Sequence, residues 1–215
     1  MKDRLLYEDA ELLVLNKPAG LAVHPGPRTP HSLEDHLDEL RLGFRRAPVP
    51  VHRLDRDTSG CLVLARNPKA AKRLGALFAA RQVTKLYAAL LSGTHEGEGR
   101  IDMPLRKQST KERGWWIETH ADGKPAATHW RALQRAEGQT LAAFWPETGR
   151  THQIRVHAAE ALSPIVGDPV YGSGEKHSAT RLHAWRIGFP WKHGQVDVTA
   201  PLRWPEFSNI QPPAR

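Results

Sequence analysis

The chain has 215 residues, 40% of them hydrophobic and 25% charged, with 31 Lys and Arg against 23 Asp and Glu. That length suits one well-cored domain or two small ones, and the composition excludes a disordered chain. The formal net charge of +8 favours a polyanionic partner, nucleic acid first, because binding neutralises phosphates and releases counterions. The single cysteine, Cys61, cannot close an internal disulfide, which fits a reducing, cytoplasmic compartment. No apolar run approaches a bilayer span, and the start MKDRLLYEDA lacks the basic-then-apolar pattern of a signal peptide; neither membrane nor export is expected.

In chain order, RLLYEDAELLVLNKPAG predicts two short strands around a turn at Glu8-Asp9-Ala10, the second closed by Pro18 and Gly20. Prolines and Gly26 make residues 25 to 30 a loop. Ser32 then caps a helix over 32 to 42, with Leu33, Leu37 and Leu40 at helical spacing. VHRLDRDTSG, residues 51 to 60, is dense in charge, and its Thr58-Ser59-Gly60 reads as a turn into a buried strand, Cys61 to Ala65. Asn67 caps, and Pro68 begins, a helix ending near Arg81, and Val83 to Leu91 returns to strand composition. Glycines and charges make 93 to 114 an exposed connection. Three β-like runs follow, at 115 to 120, 127 to 133 and 140 to 145, with Asp122-Gly123 as the turn between the first two. Thr151 caps a helix through HQIRVHAAEAL, which Pro164 stops. A Gly-Asp-Pro loop, a strand around RLHAWRIGF, a turn at His193-Gly194 and a last strand around VDVTAPL complete one α+β domain over 1 to 215.

Several chemistries fail on spacing. His152 and His157 are five apart and there is no H-E-x-x-H or Cys pair, so no metal site is expected. Phosphate-cradling glycine loops and a G-x-S-x-G elbow are missing too. What remains is a carboxylate. Asp55 lies among Arg53 and Arg56, and a carboxylate kept ionised by guanidinium groups is a nucleophile or base toward a sugar carbon. The cluster GRTHQIRVH offers Arg150 and Arg155 on different sides of a helix, one for a buried carboxylate and one for a phosphate. Trp115 and Trp116, adjacent on a strand, face opposite ways, and neither is taken as a site residue.

HRLDRDTSG at 52 to 60, KLY at 85 to 87, GRTHQIRVH at 149 to 157 and RLHAW at 181 to 185 together resemble the motifs of the RluA-type pseudouridine synthases, in order and over nearly the whole chain. The resemblance implies a mixed, largely antiparallel sheet flanked by helices and loops. It also implies isomerisation of uridine to pseudouridine in structured RNA, ribosomal or transfer, by a monomer with no cofactor. Asp55 matches the essential aspartate, Tyr87 the active-site tyrosine, and Arg155 the arginine that pairs with the aspartate. Arg53 matches an arginine that fills the space of the flipped uridine, and Arg150 is assigned to substrate binding. Asp57 is left structural, and Lys17, Pro18 and Gly20 match an early NKP-x-G turn taken as architecture. The chain starts at the first catalytic strand, so an S4-type RNA-binding module is not expected, and RNA affinity falls to the basic surface with the loops at 25 to 30 and 93 to 114. Two rivals stay open: a non-catalytic RNA-binding or chaperone protein on the same fold, and a carboxylate-dependent N-glycoside hydrolase.

Overall fold

The computed structural model describes residues 1–26, 29–112, 114–172, 179–207 and 209–214. Parts of both loops expected to meet RNA, residues 27, 28 and 113, lie outside that set. The strands are β1 (Leu5–Glu8), β2 (Leu12–Lys17), β3 (Val49–Pro50), β4 (Ser59–Ala65), β5 (Thr84–Leu91), β6 (Glu98–Asp102), β7 (Leu105–Thr110), β8 (Gly114–Thr119), β9 (Ala127–Ala136), β10 (Gln139–Pro146), β11 (Leu182–Trp191) and β12 (Gly194–Thr199). Among the described residues two α-helices, α1 (Pro68–Ala79) and α2 (Gln153–Ala161), interrupt them. The chain divides into two compact units, Met1–Lys85 with His183–Pro212, and Leu86–Leu182 with Pro213–Arg215.

In the first unit β1, β2, β4, β11 and β12 lie side by side, with β3 on the far end of β4. All neighbours are antiparallel except β4 and β11, which run parallel through Ser59–His183 and Gly60–Ala184. Both β2 and β4 are apolar on both faces, as a strand covered on both sides must be. One face buries Leu12, Val14, Cys61 and Val63 with Ala70 and Leu74 of α1. Helix α1 opens as its sequence predicts, Asn67 Oδ1 accepting from Ala70 N–H at 2.9 Å. Ser32 caps the next segment as predicted, its Oγ accepting from Glu34 N–H, and Asp35 Oδ2 accepts in return from Ser32 N–H, but the segment winds as a 3-10 helix over Leu33–Arg41. Only Leu33 and Leu40 are buried there, so packing does not hold it to the α period.

In the second unit β5, β10, β9 and β6 form an antiparallel sheet, and β7 pairs with β8 as a separate ribbon. The expected connection at 93 to 114 is thus largely strand. Edge strands carry charge and glycine, which gives them the composition of a loop: Glu98 on β6 pairs with Arg131, and Arg100 with Asp102, while Ile101 is buried. The partner of β8 is β7 rather than β9, and the turn at Asp122-Gly123 leads into a bridge between Leu105 and Lys124. Thr151 does not cap α2. The chain enters that helix through His152 at φ 54°, in the left-handed region, and Gln153 Oε1 accepts from Arg150 N–H in place of a cap. Phe144, Ile154, Ala158 and Ile165 make one core, and Leu105, Ile117, Ala126 and Val156 join the ribbon to α2 in another. Among the described residues no helix is long and apolar enough to cross a membrane.

Candidate active site

The carboxylate loop is built in the first unit. Leu54 is buried, which leaves Arg53 exposed on one side and Asp55 half-buried on the other. The turn falls over Asp55 to Thr58, with Thr58 N–H donating to the Asp55 carbonyl at 3.1 Å, and Ser59 and Gly60 already belong to β4 rather than to the turn. A tie from the NKPAG segment holds this turn. The Lys17 ammonium, fully buried, donates to the carbonyls of Pro18 (2.8 Å), Leu21 (2.7 Å) and Arg56 (3.0 Å), and Gly20 N–H donates to the same Arg56 oxygen at 2.9 Å. Burial pushes Lys17 down to about 8, against the opposing charges of Asp57 and Asp55. Lys17 therefore connects the first motif to the second and is more than a turn residue. Asp57 takes a bidentate pair from Arg56 at 3.0 and 3.2 Å, which makes it a structural member of the loop.

Two histidines and one glycine fix the flanks. His52 stacks on Phe78 with centroids 4.7 Å apart, and its Nε2 accepts from Val63 N–H at 2.9 Å. Burial, helped by the charge of Lys85, pushes His52 down to about 3, so the ring is neutral. His183 of the RLHAW motif has Nδ1 2.8 Å from Ser59 Oγ and Nε2 3.3 Å from the Ala200 carbonyl. The carbonyl requires Nε2–H, so Nδ1 accepts from the serine. Burial outweighs that carbonyl and pushes His183 down to about 4. Gly60, at φ +106°, runs so close to β11 that a Cβ would stand 2.2 Å from the Ala184 oxygen. The glycine of HRLDRDTSG is there for the backbone of RLHAW.

Tyr87, Arg150 and Arg155 belong to the second unit, and Arg53 and Asp55 to the first. Tyr87 is half-buried on β5, opposite Phe144, and packs on the core around Ala89 and Ile154. Arg155 is 4% exposed, and its Nε and Nη2 donate to Asp168 Oδ2 and Oδ1 at 2.6 and 2.8 Å. Asp168 also accepts from the backbone N–H groups of Val170 and Tyr171, and the Tyr171 ring lies 5.1 Å from the guanidinium carbon. Burial pushes the Asp168 carboxyl up, but Arg155 and the two N–H groups outweigh it and hold the group below the usual carboxylate range.

Sequence reasoning missed Asp168, reading Gly-Asp-Pro only as a loop. A carboxylate set between Ile165-Val166 and Val170-Tyr171 was the available signal, because a charge in apolar company needs a partner. Gln153 and His157 of GRTHQIRVH are structural. Gln153 spans Thr148, Ala127 and Thr128, and His157 joins Thr128 to the Met103 carbonyl. Arg150 is exposed, with Nε on the Pro125 carbonyl at 3.1 Å. Among the described residues no three His, Cys, Asp or Glu side chains gather as metal ligands.

The model of the RNA pseudouridylate synthase family matches residues 11–160. An uncharacterized RNA pseudouridine synthase of Zymomonas mobilis is 53% identical over 185 residues, 84% of each chain. The ribosomal large subunit pseudouridine synthase D of Yersinia pestis is 40% identical over 177 residues, 78% of this chain but 52% of that one, so the chain spans about half the length of that relative. Among solved structures, human RNA pseudouridylate synthase domain containing 1 aligns with a TM-score of 0.76 at 31% identity, over 92% of this chain and 82% of that one. Human RNA pseudouridylate synthase domain containing 4 aligns with a TM-score of 0.78 at 25% identity, over 94% and 89%. Agreement of this extent, in sequence and in an α+β fold of mostly antiparallel strands, decides the family: the chain belongs to the RNA pseudouridylate synthases, which isomerise uridine in RNA.

Proposed function

We propose that the chain converts uridine to pseudouridine in ribosomal RNA, as a single catalytic domain and a monomer working in the cytoplasm, with Asp55 as the group that acts on the ribose. The observation that carries this reading is the way the Asp55 loop is held. A buried ammonium and a backbone N–H on one carbonyl, a buried Leu54 and a neutral His52 keep the loop still while Asp55 is half-exposed. Burying a lysine to fix a loop is costly, and it is retained where a side chain must be positioned. The ribosomal substrate is supported by relatives such as the Yersinia enzyme, whose name specifies the large ribosomal subunit.

In the reaction the bond between uracil N1 and ribose C1′ breaks, the base turns, and C1′ bonds to C5. The C5 proton is lost and N1 gains one. Bonds are exchanged with no net oxidation. Asp55 serves as nucleophile at C1′ or as the base that takes a ribose proton. Tyr87 is assigned to stacking on the base and moving a proton, and Arg155, oriented by Asp168, to the family's arginine role. The exposed guanidinium of Arg53 suits the space left by an extruded base, since it stacks as an ammonium cannot. Arg150 is assigned to a phosphate.

Pseudouridine mapping in total RNA from cells with and without the gene tests the proposal. The expected result is one or a few ribosomal positions lost on deletion, restored by the wild type and not by Asp55→Asn. Unchanged modification everywhere would favour the binding-protein rival, and release of free uracil would establish a hydrolase instead.

A further inference from the structure

Of the seven tryptophans, only Trp115 is exposed, at 48%. It stands on the β7–β8 ribbon and rests on the ring of His152, with centroids 5.1 Å apart and planes 30° from parallel. That platform is held from behind. The Tyr171 hydroxyl accepts from Ile117 N–H at 3.0 Å and lies 2.9 Å from His152 Nδ1, so its own proton is available to that nitrogen. Tyr171 also meets the His152 ring edge-on at 5.6 Å. An exposed indole fixed by a backbone-anchored chain of rings is preorganised to stack, and its ordering cost is met before any ligand arrives.

The surrounding charge selects the ligand. On the sheet edge of the same unit the exposed arginines are neutralised: Arg100 by Asp102 and Glu147, Arg131 by Glu98, Arg135 by Glu96. On the ribbon Arg106 is paired with Glu118, but the lysine beside Trp115 is not. Lys107 places its ammonium 5.1 Å from the Trp115 ring centroid, and among the described residues Lys107, Lys124 and Arg150 form no ion pair. Lys124 bridges to Leu105 at the base of β7, and Arg150 hydrogen-bonds the next residue's carbonyl, Pro125, so both cations belong to the ribbon's root. A protein partner does not need an exposed ring capped by an uncompensated ammonium. A polynucleotide with an unpaired base needs both features.

We propose that Trp115, stacked on His152 and capped by Lys107, with Lys124 and Arg150 at the root of the same ribbon, is a landing site for an unpaired nucleotide of the substrate RNA, distinct from the uridine that reacts. The inference rests on the chain acting on RNA. The base extends the Trp115–His152 stack, and the Lys107 ammonium swings on its flexible stem from the ring to a phosphate.

Initial rates of pseudouridine formation on total RNA from a deletion strain, with Kd for poly(U) over a range of salt, test it. Trp115→Ala is expected to raise KM and the poly(U) Kd about tenfold with kcat at saturating RNA unchanged, while Trp115→Phe keeps most of the affinity. Lys107→Gln should flatten the salt dependence by about 0.7 in slope, one phosphate contact on a single strand. Wild-type KM and Kd in Trp115→Ala, or an unaltered salt slope in Lys107→Gln, would overturn the proposal, and loss of a co-purifying protein without change in RNA affinity would assign the surface to a protein instead. Failure of the wild type to form pseudouridine would refute the proposed reaction; poly(U) binding would still decide the fate of the surface.

Discussion

Asp168→Asn removes the charge from one side of a pair in which Arg155 is 4% and Asp168 2% exposed. An asparagine with its oxygen on the Oδ1 side keeps the contacts to Arg155 Nη2, Val170 N–H and Tyr171 N–H, and sets an amide NH2 against Arg155 Nε–H, which Oδ2 accepts at 2.6 Å in the wild type. Losing one charge-assisted hydrogen bond costs about 1.5–3 kcal/mol, and stripping one partner from a buried ion pair costs about 3–5 kcal/mol. Three retained contacts place the expected loss at the low end, about 3 kcal/mol, which lowers Tm by about 6–12 °C for a chain of this size. Equilibrium urea unfolding measures it directly. The pH dependence provides a second check. Because the folded Asp168 carboxyl is held below its usual range, its stabilisation is complete above the unfolded value and is lost as pH falls through the folded one. The gap between wild type and variant should be flat from about pH 5 to 8 and narrow below about pH 4. A loss under about 0.5 kcal/mol, or a gap that closes near neutrality, would refute the reasoning.

Gly60→Ala puts a Cβ 2.2 Å from the Ala184 oxygen at φ +106°, so we expect a loss of about 3–5 kcal/mol or failure to fold; a wild-type melting curve would contradict the close approach. Lys17→Met keeps the stem but strips the donor from the Pro18 and Leu21 carbonyls, while Arg56 keeps the Gly20 N–H. Two orphaned carbonyls at about 1–3 kcal/mol each, less the relief of a buried charge, predict a net loss of about 2 kcal/mol in urea. Lys17→Met should also lower kcat more than it raises KM, and an unaltered kcat would show that the Asp55 loop does not depend on this tie. His183 and His52 are neutral when folded, at about 4 and about 3, and the unfolded chain takes up their protons first. Stability should therefore fall as pH drops from about 6.5 toward 4, by at most about 1.4 kcal/mol per unit for each ring. A urea midpoint that is level over that range, or no flattening in His183→Gln, would count against the assignment.

Much of the fold is legible because its segments differ sharply in period or carry their own stops. Asn67-Pro68 starts α1 where the sequence says, and β1 and β2 flank the turn at Asp9, whose carboxylate accepts from Glu11 and Leu12 N–H. Edge positions are not legible in the same way. The charges of β6 and β7 are satisfied across strands, by Arg131 for Glu98 and by Glu118 for Arg106, and such pairs leave no period in a single segment. The entry of α2 is hidden for a different reason. A left-handed His152 is set by its ring contacts with Trp115 and Tyr171, which lie far off in sequence, and those contacts outweigh the capping preference of Thr151.

The candidate site divides along the same line. Asp55 stands out because four charges crowd one loop, and family motifs can be matched at Tyr87 and Arg155. What holds these residues is carried by groups whose local sequence looks ordinary: Lys17 at the end of an apolar strand, Asp168 in a loop of glycine and proline. Both are charges set beside apolar neighbours, LLVLN before Lys17 and Ile165-Val166 before Asp168. Burial of either without a partner would cost several kcal/mol or neutralise it. Each such charge therefore predicts its own ligand set, three carbonyls for the lysine and a guanidinium with two backbone N–H groups for the aspartate. A sequence shows that the debt exists, and only the fold shows which distant atoms meet it. Positioning groups are consequently harder to read from sequence than the groups they position, although they obey the stricter electrostatic rule.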